Sequence, residues 1–218
     1  MAGTGKPLAK QLAAVQQEMR KRPAGLVAHV ERVAAEADDL ARRFDVDRLR
    51  VELGVWGHDL FRAYQSAELL RLAGEAGLVV GREDEAAPVM LHGPLAAHVL
   101  RERFAVTDEE ALDAVRLHTT GLAEMPLIAK IILLADKCEP RKRARAQQLR
   151  DIRRLARRDL DLALLCWADW KWVEERQRGW ASHSTHWLAR QQWVREHHLD
   201  RALVGRSEEP ESLALSEA

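Results

Sequence analysis

The chain has 218 residues, 47% of them hydrophobic and 31% charged, enough apolar material for one sizeable core. Lys plus Arg and Asp plus Glu both number 34, and without a basic surplus the chain is not suited to general nucleic-acid binding. No run approaches the ~20 apolar residues of a membrane span, Met1 to Lys10 lacks a signal-peptide core, and Cys138 and Cys166 have neither metal-knuckle nor disulfide-framework spacing, so a reducing, cytoplasmic setting is expected, with no membrane as partner.

Residues 1–6 read as a loose leader, and helical spacing begins at Pro7 and runs to Met19. Leu26, Val27, Val30, Val33, Ala37, Leu40, Ala41 and Phe44 then make one apolar stripe on a helix from Ala24 to Phe44. After a turn at Asp45 to Asp47, a further helix runs from about Arg48 into the adjacent pair His58-Asp59. A short helix is expected over Gln65 to Ala73, and a loop over Gly74 to Ala87, which holds three glycines and a charge cluster. The next helix begins near Gly93, with Pro94 at its first position where a missing N–H is harmless, and reaches about Phe104.

Thr107-Asp108-Glu109-Glu110 reads as a capping box opening a helix that stops at His118-Thr119-Thr120-Gly121. Pro126 starts the most apolar helix, with Leu127, Ile128, Ile131, Ile132, Leu134 and Ala135, whose aliphatic density marks it as central. The run Arg141-Lys142-Arg143-Ala144-Arg145 reads as a solvated basic face, or else as an anion contact. Helical pattern resumes from about Gln147 to Glu175 and, after a break near Gly179, from Thr185 to His197. Six of the seven tryptophans fall between Trp167 and Trp193, the expected packing layer of the last helices, though one could instead wall a pocket for a base. Ser207 to Ala218 is acidic and expected to be disordered. No strand pattern and no internal repeat occurs, so the expected fold is all-α and single-domain.

Of nine histidines, His98, His183, His186, His197 and His198 have no evident place as ligands. The other four sit on core-facing stripes or at element ends: His29 between Leu26 and Val33, His58 and His118 at helix ends, His92 just before a helix start. Asp136 lies inside the most apolar helix, and a buried carboxylate needs a cation, Lys or Arg on one hand or a metal on the other. With four histidines on other helices, a metal is the more economical partner. Imidazoles with carboxylates suit Zn, Fe, Mn, Ni or Co, and His29, His58, His92, His118, Asp59 and Asp136 suffice for two ions bridged by one carboxylate. Two such ions sharing a hydroxide point to hydrolysis of a phosphate ester or anhydride.

In this order the residues resemble the HD-domain metal-dependent phosphohydrolases, whose signature is matched by His29, His58-Asp59 and Asp136. The fuller resemblance is to the YqeK-type branch, the bacterial symmetrical diadenosine tetraphosphate hydrolases. It is carried by Leu91-His92-Gly93-Pro94, Leu117-His118-Thr119-Thr120-Gly121, Leu134-Ala135-Asp136 with Glu139-Pro140, the stretch Ala156 to Leu164 as a penultimate helix, and Ser184-Thr185-His186-Trp187-Leu188. The resemblance implies an HD helical bundle around a buried dinuclear centre, most simply iron with Mn, Co or Ni as alternatives, and cleavage of diadenosine tetraphosphate into two ADP. The domain would span 24–200, after a leader and helix over 1–23 and before an acidic tail over 201–218.

Carried over, His29, His58, Asp59 and Asp136 would hold one ion, with Asp59 bridging to a second held by His92 and His118. Asp59 and Arg62 would be catalytic, and Arg62, His92, His118, Thr119 and Thr120 would meet the substrate. Arg62 stands where the family has Lys; it keeps the charge and adds a two-pronged fork. Arg32 replaces a usual Gly and shares a helix face with His29, so it would either reach the phosphates or partly block the pocket. Arg141-Lys142 replaces Asn-Arg, and the family's later Pro-Gly turn is absent. The expected partner is a nucleotide, a homodimer is an open option, and the rival readings are another nucleotide substrate or a non-catalytic HD module that binds a nucleotide or a protein.

Overall fold

The computed structural model describes residues 5–204, with side chains described for residues 7–197. The expected tail over 207–218 lies outside the described residues, as does most of the expected leader; Gly5 and Lys6 already belong to the first helix. Among the described residues twelve α-helices follow one another and there is no strand. They are α1 (Gly5–Met19), α2 (Ala24–Arg43), α3 (Arg48–His58), α4 (Ser66–Glu75), α5 (Arg82–Ala86), α6 (His92–Phe104), α7 (Glu109–Leu117), α8 (Leu127–Lys137), α9 (Pro140–Arg143), α10 (Gln147–Ala156), α11 (Leu160–Arg178) and α12 (Ser184–Val204).

Helix α8 is the axle: from Ile128 to Asp136 every residue except Lys130 is buried, and the helix packs on α2, α3, α7 and α11. The stripe read on α2 points inward, with Val30, Val33, Ala37, Leu40 and Ala41 buried. Helix α1 packs on α3 and puts Leu12, Val15 and Met19 into the same apolar cluster. Two ion-pair clusters lash the periphery. Arg50 of α3 grips Asp108 and Glu110 at the start of α7. Glu36 and Asp39 of α2 take Arg153 of α10, and Glu36 also takes Arg143 of α9.

Several boundaries differ from the sequence expectation. The stretch 74–87 is not all loop: α4 runs on to Glu75, and α5 forms where Asp84 accepts a bond from the Gly81 N–H at 3.0 Å. The cap of α7 is Asp108, which accepts from Ala111 N–H at 3.1 Å, not Thr107, because Glu110 is drawn away to Arg50. The pattern from Gln147 to Glu175 is two helices, broken where Asp159 caps α11 by accepting from Leu162 N–H at 2.9 Å. The segment Ala156 to Leu164 therefore spans a helix break rather than lying in one helix. His92 is the first residue of α6, led in by a 3-10 turn over Pro88–Leu91.

Candidate metal centre

The end of α3 sets the site. His58, fully buried, donates from Nδ1 to the Val55 carbonyl at 2.6 Å. His118, just past α7, donates likewise to Val115 O at 2.7 Å, and His92 to Val89 O. In all three the carbonyl lies three residues back along the chain, so the local backbone fixes the tautomer. A carbonyl only accepts, so each ring carries its hydrogen on Nδ1 and presents a bare Nε2. Burial pushes the His118 imidazole down to about 3, against the opposing pull of Asp59, and lowers His58 in the same way, so these two rings are neutral at pH 7.

The bare nitrogens converge. His92 Nε2 and His118 Nε2 stand 2.8 Å apart, and Asp59 Oδ1 lies 3.3 Å and 3.6 Å from them. Asp59 Oδ2 lies 3.5 Å from His58 Nε2 and 3.6 Å from His29 Nε2, and His29 Nε2 is 3.1 Å from Asp136 Oδ1. Gly93 permits the approach of α6 to α7: a Cβ there would stand 3.0 Å from the carbonyls of Val115 and Arg116. Two overlapping trios, His29–His58–Asp136 and His58–Asp59–His118, each have ligand atoms within 4.8 Å of one another. Acceptors facing acceptors repel unless a cation lies among them, and His58 Nε2 is buried with no hydrogen-bond partner at all. Imidazole nitrogens and carboxylates are donors for divalent transition ions, and the cluster fits such metal binding.

Asp136 has closer company than the sequence suggested. Lys137 Nζ lies 2.7 Å from Oδ2 and Lys142 Nζ 2.6 Å from Oδ1. Burial works to raise this carboxyl, but the two ammonium groups outweigh it and hold it well below the usual range. The protein's own cations thus answer the charge of Asp136, and the case for a metal rests on the convergent Nε2 atoms instead. Arg32 neither enters the cavity nor blocks it: it donates to Glu139 Oε2 at 2.6 Å and to the Ala28 carbonyl at 2.7 Å. Glu139, buried at 2% exposure, also caps Arg141 N–H and sets Oε1 3.8 Å from His29 Nδ1.

Above the cluster opens a cavity of 1650 Å³. His29, Asp59, Arg62, His92, His118, Thr119 and Asp136 line its floor. Thr119 Oγ1 lies 3.1 Å from His118 Nε2, whereas Thr120 is not a lining residue and offers its carbonyl to α12. Arg62 is exposed, and among the described residues neither it nor Arg145, which also lines the cavity, has an ion-pair partner. Lys142 and Arg145 show that the basic run is only partly a solvated face. One wall holds Trp167, Trp170, Lys171, Glu174 and Arg178 of α11, with Trp180 beyond it; a pocket-walling tryptophan was the alternative reading of the sequence, whereas Lys171, Glu174 and Arg178 went unread. Their spacing of three, four and seven residues was the available signal for a shared face.

A crystal structure of a predicted HD superfamily hydrolase involved in NAD metabolism, from Clostridium acetobutylicum, superposes with a TM-score of 0.79 over 84% of this chain and 97% of that one, at 24% identity. The fold is therefore that of an HD superfamily hydrolase. No family model matches the chain. The symmetrical bis(5'-nucleosyl)-tetraphosphatase of Bacillus subtilis is 31% identical over 137 residues, 63% of this chain and 72% of the relative, and that of Halalkalibacterium halodurans is 32% identical over 142 residues with the same coverage. The chain belongs to the family of symmetrical bis(5'-nucleosyl)-tetraphosphatases. No described helix is long and apolar enough to cross a membrane.

Proposed function

We propose that the protein hydrolyses a nucleotide polyphosphate, diadenosine tetraphosphate, symmetrically to two ADP, with two divalent ions of the iron class. The observation that carries this reading is the convergence of bare, tautomer-fixed Nε2 atoms on Asp59 at the floor of a large cavity. Its 1650 Å³ exceeds the roughly 300–1,000 Å³ of ordinary small-ligand pockets and suits a two-ended nucleotide.

His29, His58, Asp59 and Asp136 would hold one ion, and Asp59, His92 and His118 the other. Bound there, such ions supply a water acidic enough to attack at neutral pH and offset phosphoryl charge. The remaining chemistry is the chain's own. Arg62 and Arg145, free of carboxylate partners, hold the phosphate chain, and Lys142 adds charge beside Asp136. The Thr119 hydroxyl orients the phosphate next to His118. Water adds across the central anhydride: its oxygen stays on one ADP, and the bridging oxygen leaves with the other.

The test is Asp59→Ala. Metal analysis of protein prepared without oxygen is expected to give about two ions per wild-type chain and fewer in the variant. Turnover should fall by about a thousandfold or more, about 4 kcal/mol of transition-state stabilisation. Wild-type activity in metal-depleted D59A protein would exclude the proposed roles.

A further inference from the structure

The first turn of α12 carries a polar group that the metal cluster does not use. His186 is 5% exposed and lines the cavity. Its Nδ1 donates to the Thr120 carbonyl at 3.0 Å, which fixes the ring hydrogen on Nδ1 and leaves Nε2 as an acceptor. That Nε2 is buried with no hydrogen-bond partner. The combination, a ring anchored through Nδ1 with a bare buried Nε2, is the one His58 shows in the cluster. His186, however, belongs to neither trio of metal-capable side chains, so its complement is a hydrogen-bond donor rather than an ion.

The ligand chemistry narrows the donor. Ionised phosphate oxygens only accept, so the phosphate chain cannot satisfy this atom. The ring stands edge-on to Trp167 at 5.1 Å between centroids, and Trp170, one turn along α11, lines the same cavity and is only partly buried. Trp167 itself is only 2% exposed, so the open aromatic surface beside the lone acceptor is that of Trp170, which suits a planar base that carries a donor. Burial also pushes the His186 imidazole below its ordinary pKa, in keeping with a neutral acceptor.

Building on the nucleotide-hydrolase reading above, we propose that His186 is a specificity-determining residue: its Nε2 accepts a hydrogen bond from the exocyclic amino group of a nucleobase seated against Trp170. An amino-bearing base is thereby preferred over one with an oxo group at that position, because an oxo oxygen would face the bare nitrogen acceptor to acceptor.

Equilibrium binding of ADP, IDP and pyrophosphate to the intact, metal-loaded chain tests this without needing turnover. Wild-type protein is expected to prefer ADP over IDP by at least about tenfold. His186→Asn keeps an amide donor for Thr120 at the Nδ1 position and removes the Nε2 acceptor. It should bind ADP and IDP alike, with pyrophosphate affinity unchanged. A wild type indifferent to the base, an H186N variant that keeps the preference, or an equal loss of all three ligands would each overturn the proposal. Turnover of diadenosine tetraphosphate is scored separately: its absence with the ADP preference intact counts against hydrolysis and leaves base recognition standing.

Discussion

His29 differs from the other three histidines in how it is held. Its Nδ1 has no carbonyl three residues back; instead Glu139 Oε1 stands 3.8 Å away, and that carboxylate is fixed by Arg32 and by Arg141 N–H. At 3.8 Å this is a charge contact that steadies the ring rather than a hydrogen bond. Glu139→Ala is therefore expected to weaken metal binding by about tenfold, read by competition with a chelator, while the fold survives; an unchanged affinity would remove Glu139 from the account. At this scale the sequence was informative where spacing and burial pattern coincide. The six histidines and aspartates picked out from it do meet in space. What it hid were partners supplied across distance: Lys142 reaches Asp136 only because Pro140 starts a short turn, and Arg32 meets Glu139 107 residues away. No local pattern encodes either contact.

Between elements, the helix ends decide the geometry. Asp108 caps α7, whose end leads directly into His118, and also pairs with Arg50 of α3, which ends at His58; one carboxylate ties together the two helices that position these ligand-capable rings. The hydrogen bond from Arg50, set against burial that works to raise it, holds the Asp108 carboxyl below its ordinary 3.8. A depressed folded pKa stabilises the fold in full above the unfolded value, and that contribution is lost as pH falls through the folded one. Asp108→Asn should thus cost about 1–2 kcal/mol at neutral pH, and the difference from wild type should shrink as pH drops from about 5 to about 3. Urea unfolding of both proteins across that range checks it; a pH-independent difference would mean that the charge of Asp108 is not what matters. Periodicity found the helices, but not the break before α11, because Leu149, Ile152 and Ala156 of α10 and Leu160, Ala163 and Leu164 of α11 are buried on both sides of it. Asp159 alone marks the boundary.

For the molecule as a whole, α8 and its apolar run were legible, and with them the helical bundle. The cavity was not. One lining residue, Glu83 of α5, accepts from Ser184 N–H at 3.1 Å and from Ser184 Oγ at 2.5 Å, residues 101 apart, and another wall is α11 and the turn to α12. The tryptophans expected as a packing layer divide between two tasks. Trp193 packs, donating to Ala123 O at 3.0 Å and pressing on Gly121, where φ is +68° and an added Cβ would stand 2.7 Å from the indole. Trp167, Trp170 and Trp180 line the cavity. Through Trp193 and His186 the last helix braces the segment that carries His118 and Thr119, which makes α12 part of the site rather than an appendage. The most direct measurement of the central claim is chromatographic identification of the nucleotides formed from diadenosine tetraphosphate by metal-loaded protein. ADP is expected as the sole product, two per substrate consumed; ATP together with AMP, or no product at all, would contradict symmetrical hydrolysis.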